Sequence, residues 1–149
     1  MRIHRSTLLD CSLEQAWQAV LQPRLLFYVA WPVLRFRPVT PPQLPDTWQD
    51  GNYLVRLYLG GWLPLGTQWM VISQDATRFW LRDNGHGPLA RGWDHHITLR
   101  PTGAGQTWYT DEVTIHAGLL TPLVTGFAAG FYWWRQRRWV RLVRRGFAF

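Results

Sequence analysis

Apolar positions change their period several times along the chain, and those changes divide it into elements. Residues 2–9 form a short strand-like run. Ser12 then stands as an N-cap with Gln15 three residues on, a capping-box pattern, and Leu13, Ala16, Trp17, Val20 and Leu21 follow at helical spacing. Pro23 restarts the chain into a second short helix over Arg24 to Ala30, which Pro32 ends. From Val33 the period becomes two. Leu34 to Arg37 predicts a strand, and Pro38 to Pro45, with four prolines in eight residues, predicts a loop. Further strands are expected at 52–59, 67–74, 77–83, 92–100 and 106–116. Turns are marked by Gly60-Gly61, Asp75-Ala76, Asn84 to Gly87 and Thr102 to Gly105. Such short connections imply an antiparallel meander.

The tail from Leu119 to Gly146 has no turn signal after Pro122 and predicts one helix of about 25 residues, twice the average of roughly 11–12. At 100° per residue, Ala128, Phe131, Tyr132, Trp139, Leu142 and Val143 share a broad side, and Arg137, Arg138, Arg141, Arg144 and Arg145 cluster opposite. Arg135 breaks this division by falling among the apolar residues. Ala117 to Trp134 carries no charge and outlines a short membrane span, yet Pro122, three glycines and two threonines argue against one, since about 20 clearly apolar residues are normally needed.

Composition narrows the class. The 149 residues are 47% hydrophobic and 17% charged, the balance of a globular chain long enough to bury a core as a single domain over 1–149. Aromatic content is 15%, with eleven tryptophans, more rings than a small core needs and suited to the walls of an apolar site. Cys11 is alone, so no disulfide framework or Cys/His zinc spacing exists, and no metal or cofactor is expected. The N-terminus lacks the apolar run of a secretory signal, which together with the single cysteine gives a cytoplasmic reading. The net charge of +7 comes from arginine without any lysine, and is concentrated in the last fifteen residues.

The order of elements, with Ser12 to Trp17 after the first strand, Asp50-Gly51 before the third, Trp93 to Leu99, Gly105 to Thr107 and Asp111 to Val113, resembles the START/Bet v 1-like superfamily, also called the SRPBCC or polyketide cyclase-like group. The resemblance spans essentially the whole chain. It implies an α+β helix-grip fold: a curved antiparallel sheet of about seven strands, two short helices after the first, and a long C-terminal helix over the concave face. Members of that group carry lipids and sterols, bind plant hormones or quinones, or cyclise polyketides, so the fold alone leaves function open. No member's catalytic signature matches here.

One constellation carries chemistry. If the hairpin turns through Pro101 to Gly105, His95 lies opposite Asp111, on the face that Trp93, Ile97 and Leu99 direct inward. An imidazole oriented by a carboxylate is what a general base needs, and it is equally how a buried polar pair is satisfied. No nucleophile or metal ligand set accompanies it, which favours the structural or ligand-orienting reading. A register slip of one residue would turn His95 outward. Arg135 either holds a ligand carboxylate or phosphate, or packs its stem and sends its head to solvent. Trp69, Phe79, Trp93, Tyr109, Phe131, Tyr132 and Trp139 are candidates for the pocket wall, with plain core as the competing reading.

These features predict a non-catalytic carrier or sensor of an apolar small molecule or lipid, with or without an acidic group, held between sheet and C-terminal helix. Two alternatives stand beside it. One is a cyclase or aromatase using His95 and Asp111; the other is an interaction module docking its arginine face (Arg137, Arg138, Arg141, Arg144, Arg145) on an anionic membrane surface. Nucleic acid ranks below both, because basic residues and exposed rings are not interleaved.

Overall fold

A computed structural model describes all residues, Met1 to Phe149. Seven antiparallel strands form one open sheet in the order β1-β7-β6-β5-β4-β3-β2. They are β1 (Arg2–Leu9), β2 (Leu34–Thr40), β3 (Gly51–Leu59), β4 (Leu63–Asp75), β5 (Trp80–Gly85), β6 (Gly92–Pro101) and β7 (Thr107–His116). Two short helices, α1 (Leu13–Val20) and α2 (Pro23–Ala30), follow β1. After a turn of 3-10 helix at Gly118–Leu120, α3 (Thr121–Arg144) crosses the sheet, packing on β1, β7 and α2. This is the helix-grip architecture. No helix is long and apolar enough to cross a membrane.

Local chemistry explains the boundaries. Ser12 Oγ accepts the Gln15 N–H at 3.2 Å while Gln15 Oε1 accepts the Ser12 N–H at 3.1 Å, so two of the orphan donors at the start of α1 are satisfied. Pro122 sits in the first turn of α3, where its missing N–H costs nothing, and the Thr121 hydroxyl accepts from Ala117 N–H.

Three expectations are corrected. Strand β2 does not stop at Arg37 but runs to Thr40 through Pro38, which is tolerated because β2 is an edge strand and its register shifts between Pro38 and Thr40. The Asn84–Gly87 segment is not a free turn: β5 continues to Gly85, and His86 bridges back to Trp69. A Cβ at Gly87 would come within 2.6 Å of Thr67 O, so glycine there permits the close approach to β4. The β6–β7 hairpin closes later than expected, with Thr102 N–H bonding Gln106 O, and its loop glycines Gly103 and Gly105 take φ of 82° and 76°. Pairing is therefore Leu99 with Tyr109 and Ile97 with Asp111, two residues from the expected register, and His95 pairs with Val113.

Replacing Ser12 with alanine removes one side of the capping box. It is expected to lower stability by about 0.5–2 kcal/mol in urea denaturation with an unchanged m-value.

Candidate functional site

A register error of two leaves every side chain on its face. His95, Ile97 and Leu99 of β6 point inward, as do Tyr109, Asp111 and Val113 of β7. His95 Nε2 and Asp111 Oδ1 lie 2.7 Å apart, reached diagonally across the ladder. The neighbouring His96 faces the other way, taking the Trp80 indole N–H at 3.2 Å and lying 3.1 Å from Asp94.

Asp111 is fully buried and saturated. Its Oδ1 also accepts the Tyr109 hydroxyl at 2.8 Å, and its Oδ2 accepts Gln136 Nε2 at 2.9 Å. Gln136, on α3, also donates to Arg5 O at 2.8 Å, tying the helix to β1. Burial alone would raise the Asp111 carboxyl, but the Arg135 charge and the bonds from His95 and Gln136 outweigh it and hold the group below its ordinary value. A carboxylate accepts only, so His95 Nε2 carries the proton and donates, leaving Nδ1 as the lone-pair nitrogen. Burial lowers the imidazole against the pull of Asp111, so His95 is neutral at pH 7.

Beside this network lies a cavity of about 230 Å³ between the inner face of β2–β6, the α1–α2 corner and α3. Twenty-six residues line it and 21 are hydrophobic; the five others are Gln22, Gln68, Asp83, His95 and Arg135. Of the residues singled out in the sequence, Trp93, His95, Phe131, Tyr132 and Arg135 line the cavity. Trp93 stacks beside Tyr132 with ring centroids 6.3 Å apart and donates its indole N–H to the Tyr132 hydroxyl at 3.3 Å.

The others lie elsewhere. Trp69 falls on the outer face, because Gln68, Met70 and Ile72 hold the inward positions of β4. Phe79, with φ of 51° at the β4–β5 turn, sets its ring edge-on to Trp17 at 5.8 Å and clamps α1 to the sheet. Tyr109, Asp111 and Trp139 are core: Trp139 meets Tyr109 at 5.9 Å and Phe147 at 6.1 Å. Arg135 does not snorkel. Only 5% exposed, it donates Nη2 to the Tyr109 hydroxyl at 3.2 Å and stands over the Tyr132 ring at 5.5 Å.

Sequence reasoning missed Gln68 and Asp83. Asp83 sits two residues after inward Leu81, so the period of two carried the signal. Its Oδ1 accepts Val71 N–H at 2.9 Å. Burial pushes its carboxyl up to about 7, only partly offset by that bond and by the Arg135 charge.

The arginines of α3 do not form one face. Arg137, Arg141 and Arg144 line a shallow groove with Arg5 along β1, whereas Arg138 lies 4.2 Å over the Tyr28 ring and bonds Tyr28 O at 2.8 Å.

No protein-family model and no curated protein matches the chain in sequence. Solved structures do match in fold. A START superfamily protein from Mycobacterium smegmatis aligns over 97% of each chain at TM-score 0.64 and 10% identity. The ZhuI aromatase/cyclase from a Streptomyces species aligns over 97% of this chain and 94% of its own at 0.68 and 10%. Norcoclaurine synthase from Thalictrum flavum, in complex with dopamine and hydroxybenzaldehyde, aligns over 97% of this chain and 87% of its own at 0.68 and 11%. The chain thus has the helix-grip fold of the START/Bet v 1-like superfamily.

Two variants separate the network from the cavity wall. Asp111→Asn removes the carboxylate that His95, Tyr109 and Gln136 surround and is expected to cost about 3–5 kcal/mol, read from the denaturation midpoint. Asp83→Asn has the opposite sign. The Asp83 carboxyl ionises near 3.8 when unfolded and near 7 when folded, so the folded chain holds the extra proton between those values. Stability from this group is therefore lost as pH rises from about 4 to about 7, and the loss is complete above that. Asp83→Asn should stabilise the fold at about pH 8, by on the order of 1–4 kcal/mol at most in urea denaturation, but scarcely at about pH 4. A stabilisation equal at both pH values would contradict this.

Proposed function

We propose that the protein is a non-catalytic carrier or sensor that binds an apolar small molecule or lipid in the cavity beneath α3. The observation that carries this reading is the cavity itself: 21 of 26 wall residues are hydrophobic, and the polar ones cluster as a few side chains able to fix orientation. At about 230 Å³ it falls just below the roughly 300–1,000 Å³ usual for small-molecule sites, which favours a compact ligand. Its mouth is bordered by Leu123, 72% exposed, and by half-open Phe127 and Leu89, an apolar rim that suits entry of an apolar molecule. Burial supplies affinity at roughly 25 cal/mol per Å², less the cost of ordering, and the polar groups supply orientation. The complex of norcoclaurine synthase with dopamine and hydroxybenzaldehyde supports the binding of small molecules by this fold.

Native mass spectrometry of protein purified from its expression host, followed by denaturing extraction, tests the reading. A stoichiometric apolar molecule is the expected result. A clean apo mass, with no thermal shift across fatty acids, quinones and ketides, would overturn it. Val124→Phe, which enlarges a wall residue of α3, should weaken binding of any ligand so identified by about tenfold or more while the melting temperature holds.

A further inference from the structure

Arg135 has more hydrogen-bonding capacity than the protein uses. A guanidinium has five N–H donors. Here one hydrogen bond is made, from Nη2 to Tyr109, and the buried Nε–H has no partner at all. None of the ion pairs within 4.0 Å includes Arg135. Asp111 does not close on it, and its oxygens bond His95, Tyr109 and Gln136 instead. A buried cation without a direct counter-ion is expensive and is ordinarily paired or absent. Arg135 lines the cavity wall, so a ligand there can meet the donors of the guanidinium other than the enclosed Nε–H.

Asp83 complements it on the opposite wall. Its Oδ1 is engaged by Val71 N–H, and its Oδ2 has no protein partner. Around it stand Gln68 from β4, His95 from β6 as its cross-strand partner, and Arg135 with Tyr132 from α3. Asp94 and its partner Arg82 lie on the outer face. Of these, His95 is neutral, Tyr132 is held protonated by burial, and Arg135 is charged. The cavity wall thus has one free cation and one carboxyl side chain that takes up a proton cheaply.

Resting on the ligand-binding reading above, we propose that the cavity selects apolar molecules bearing a single carboxylate, which pairs with Arg135 and shares one proton with Asp83. Arg135 meets a carboxylate with two parallel N–H donors, a geometry that alcohols and esters do not offer. Two carboxylates facing one pocket cannot both be ionised, so the filled site holds one proton more than the empty site does above the Asp83 midpoint. Binding then takes up a proton from solvent. Affinity for a ligand carboxylate falls as pH rises through about 7, and the free acid needs no oxidant, metal or leaving group to bind.

The test is isothermal titration of the full chain with hexanoate, octanoate and decanoate against the alcohols of equal length. Each titration is run in two buffers of different ionisation enthalpy. The expected result is a preference for the acid of about tenfold or more near pH 6, and an affinity for it that falls about tenfold per pH unit above about 7, with uptake approaching one proton near pH 8. Affinity for the alcohols should not change with pH. Arg135→Met should erase the preference and leave alcohol binding in place. Should that variant fail to fold, Asp83→Asn gives an independent readout, keeping acid binding while abolishing proton uptake and the pH dependence. Equal affinity for acid and alcohol, or proton uptake unchanged in Asp83→Asn, would overturn the proposal and leave the ligand-binding reading intact. No binding of either series overturns the proposal, while the ligand-binding reading stands or falls on the native mass spectrum.

Discussion

Asp111 is a carboxylate without access to water, and the surrounding structure is organised by the need to keep it charged. Isolated burial of such an ion costs several kcal/mol even after relaxation, so its partners are obligatory. They come from separate elements: His95 from β6, Tyr109 from β7 itself and Gln136 from α3. Gln136 reaches on to the Arg5 carbonyl of β1. Four elements are therefore held in one relative position by bonds that fail together. Apolar burial of Trp139, Leu142 and Val143 brings α3 onto the sheet without direction. The Asp111 bonds specify the rotation and the height at which the helix stops, and so which residues of α3 face the open part of the fold.

Much of this was legible before any coordinates. Alternation along 93–99 placed His95 inward, and pairing across the hairpin carried Asp111 to the same face, because a period of two is insensitive to a register error of two. The register itself was not legible. It depended on whether the hairpin was centred on Gly103, with Arg100 opposite Gln106, or on Ala104, with Pro101 opposite Thr107, and loop glycines suit either closure. Helical spacing put Arg135 on the apolar side of α3, but spacing cannot tell a guanidinium that reaches water from one whose head is shut in by Tyr109 and Tyr132. Ring size misled at Trp69: the polar Gln68 occupies the inward position, and nothing in a single strand fixes which of two alternating sets faces the core. Asp83 was hidden for a related reason. An acidic residue between Arg82 and Asn84 reads as surface until the phase set by Leu81 is followed through.

The two polar regions of the interior have opposite character. Both Asp111 oxygens have partners, which is the normal state of a buried group. Along the cavity wall, Arg135 Nε–H, Asp83 Oδ2 and His95 Nδ1 are left without protein partners, within one apolar enclosure. A network that is complete on one side and incomplete on the other separates the part of the interior that fixes the fold from the part that meets a guest.

Stability alone does not account for that incomplete side. A pocket of about 230 Å³ leaves its apolar wall atoms without packing partners on one side. A leucine in place of Asp83 would fill part of it and remove a carboxyl that burial already disfavours, and a methionine in place of Arg135 would remove an unpaired cation. Each would also remove an interaction, the Asp83 bond to Val71 N–H and the Arg135 charge that helps hold Asp111 ionised. The chain instead keeps a void, an under-bonded cation and a carboxyl ionising near neutrality together in one place. Each alone is a defect of packing or electrostatics. Combined, their individual costs have a common remedy, a compact apolar molecule with an anionic end, since the same guest fills the space, pairs the cation and keeps Asp83 protonated.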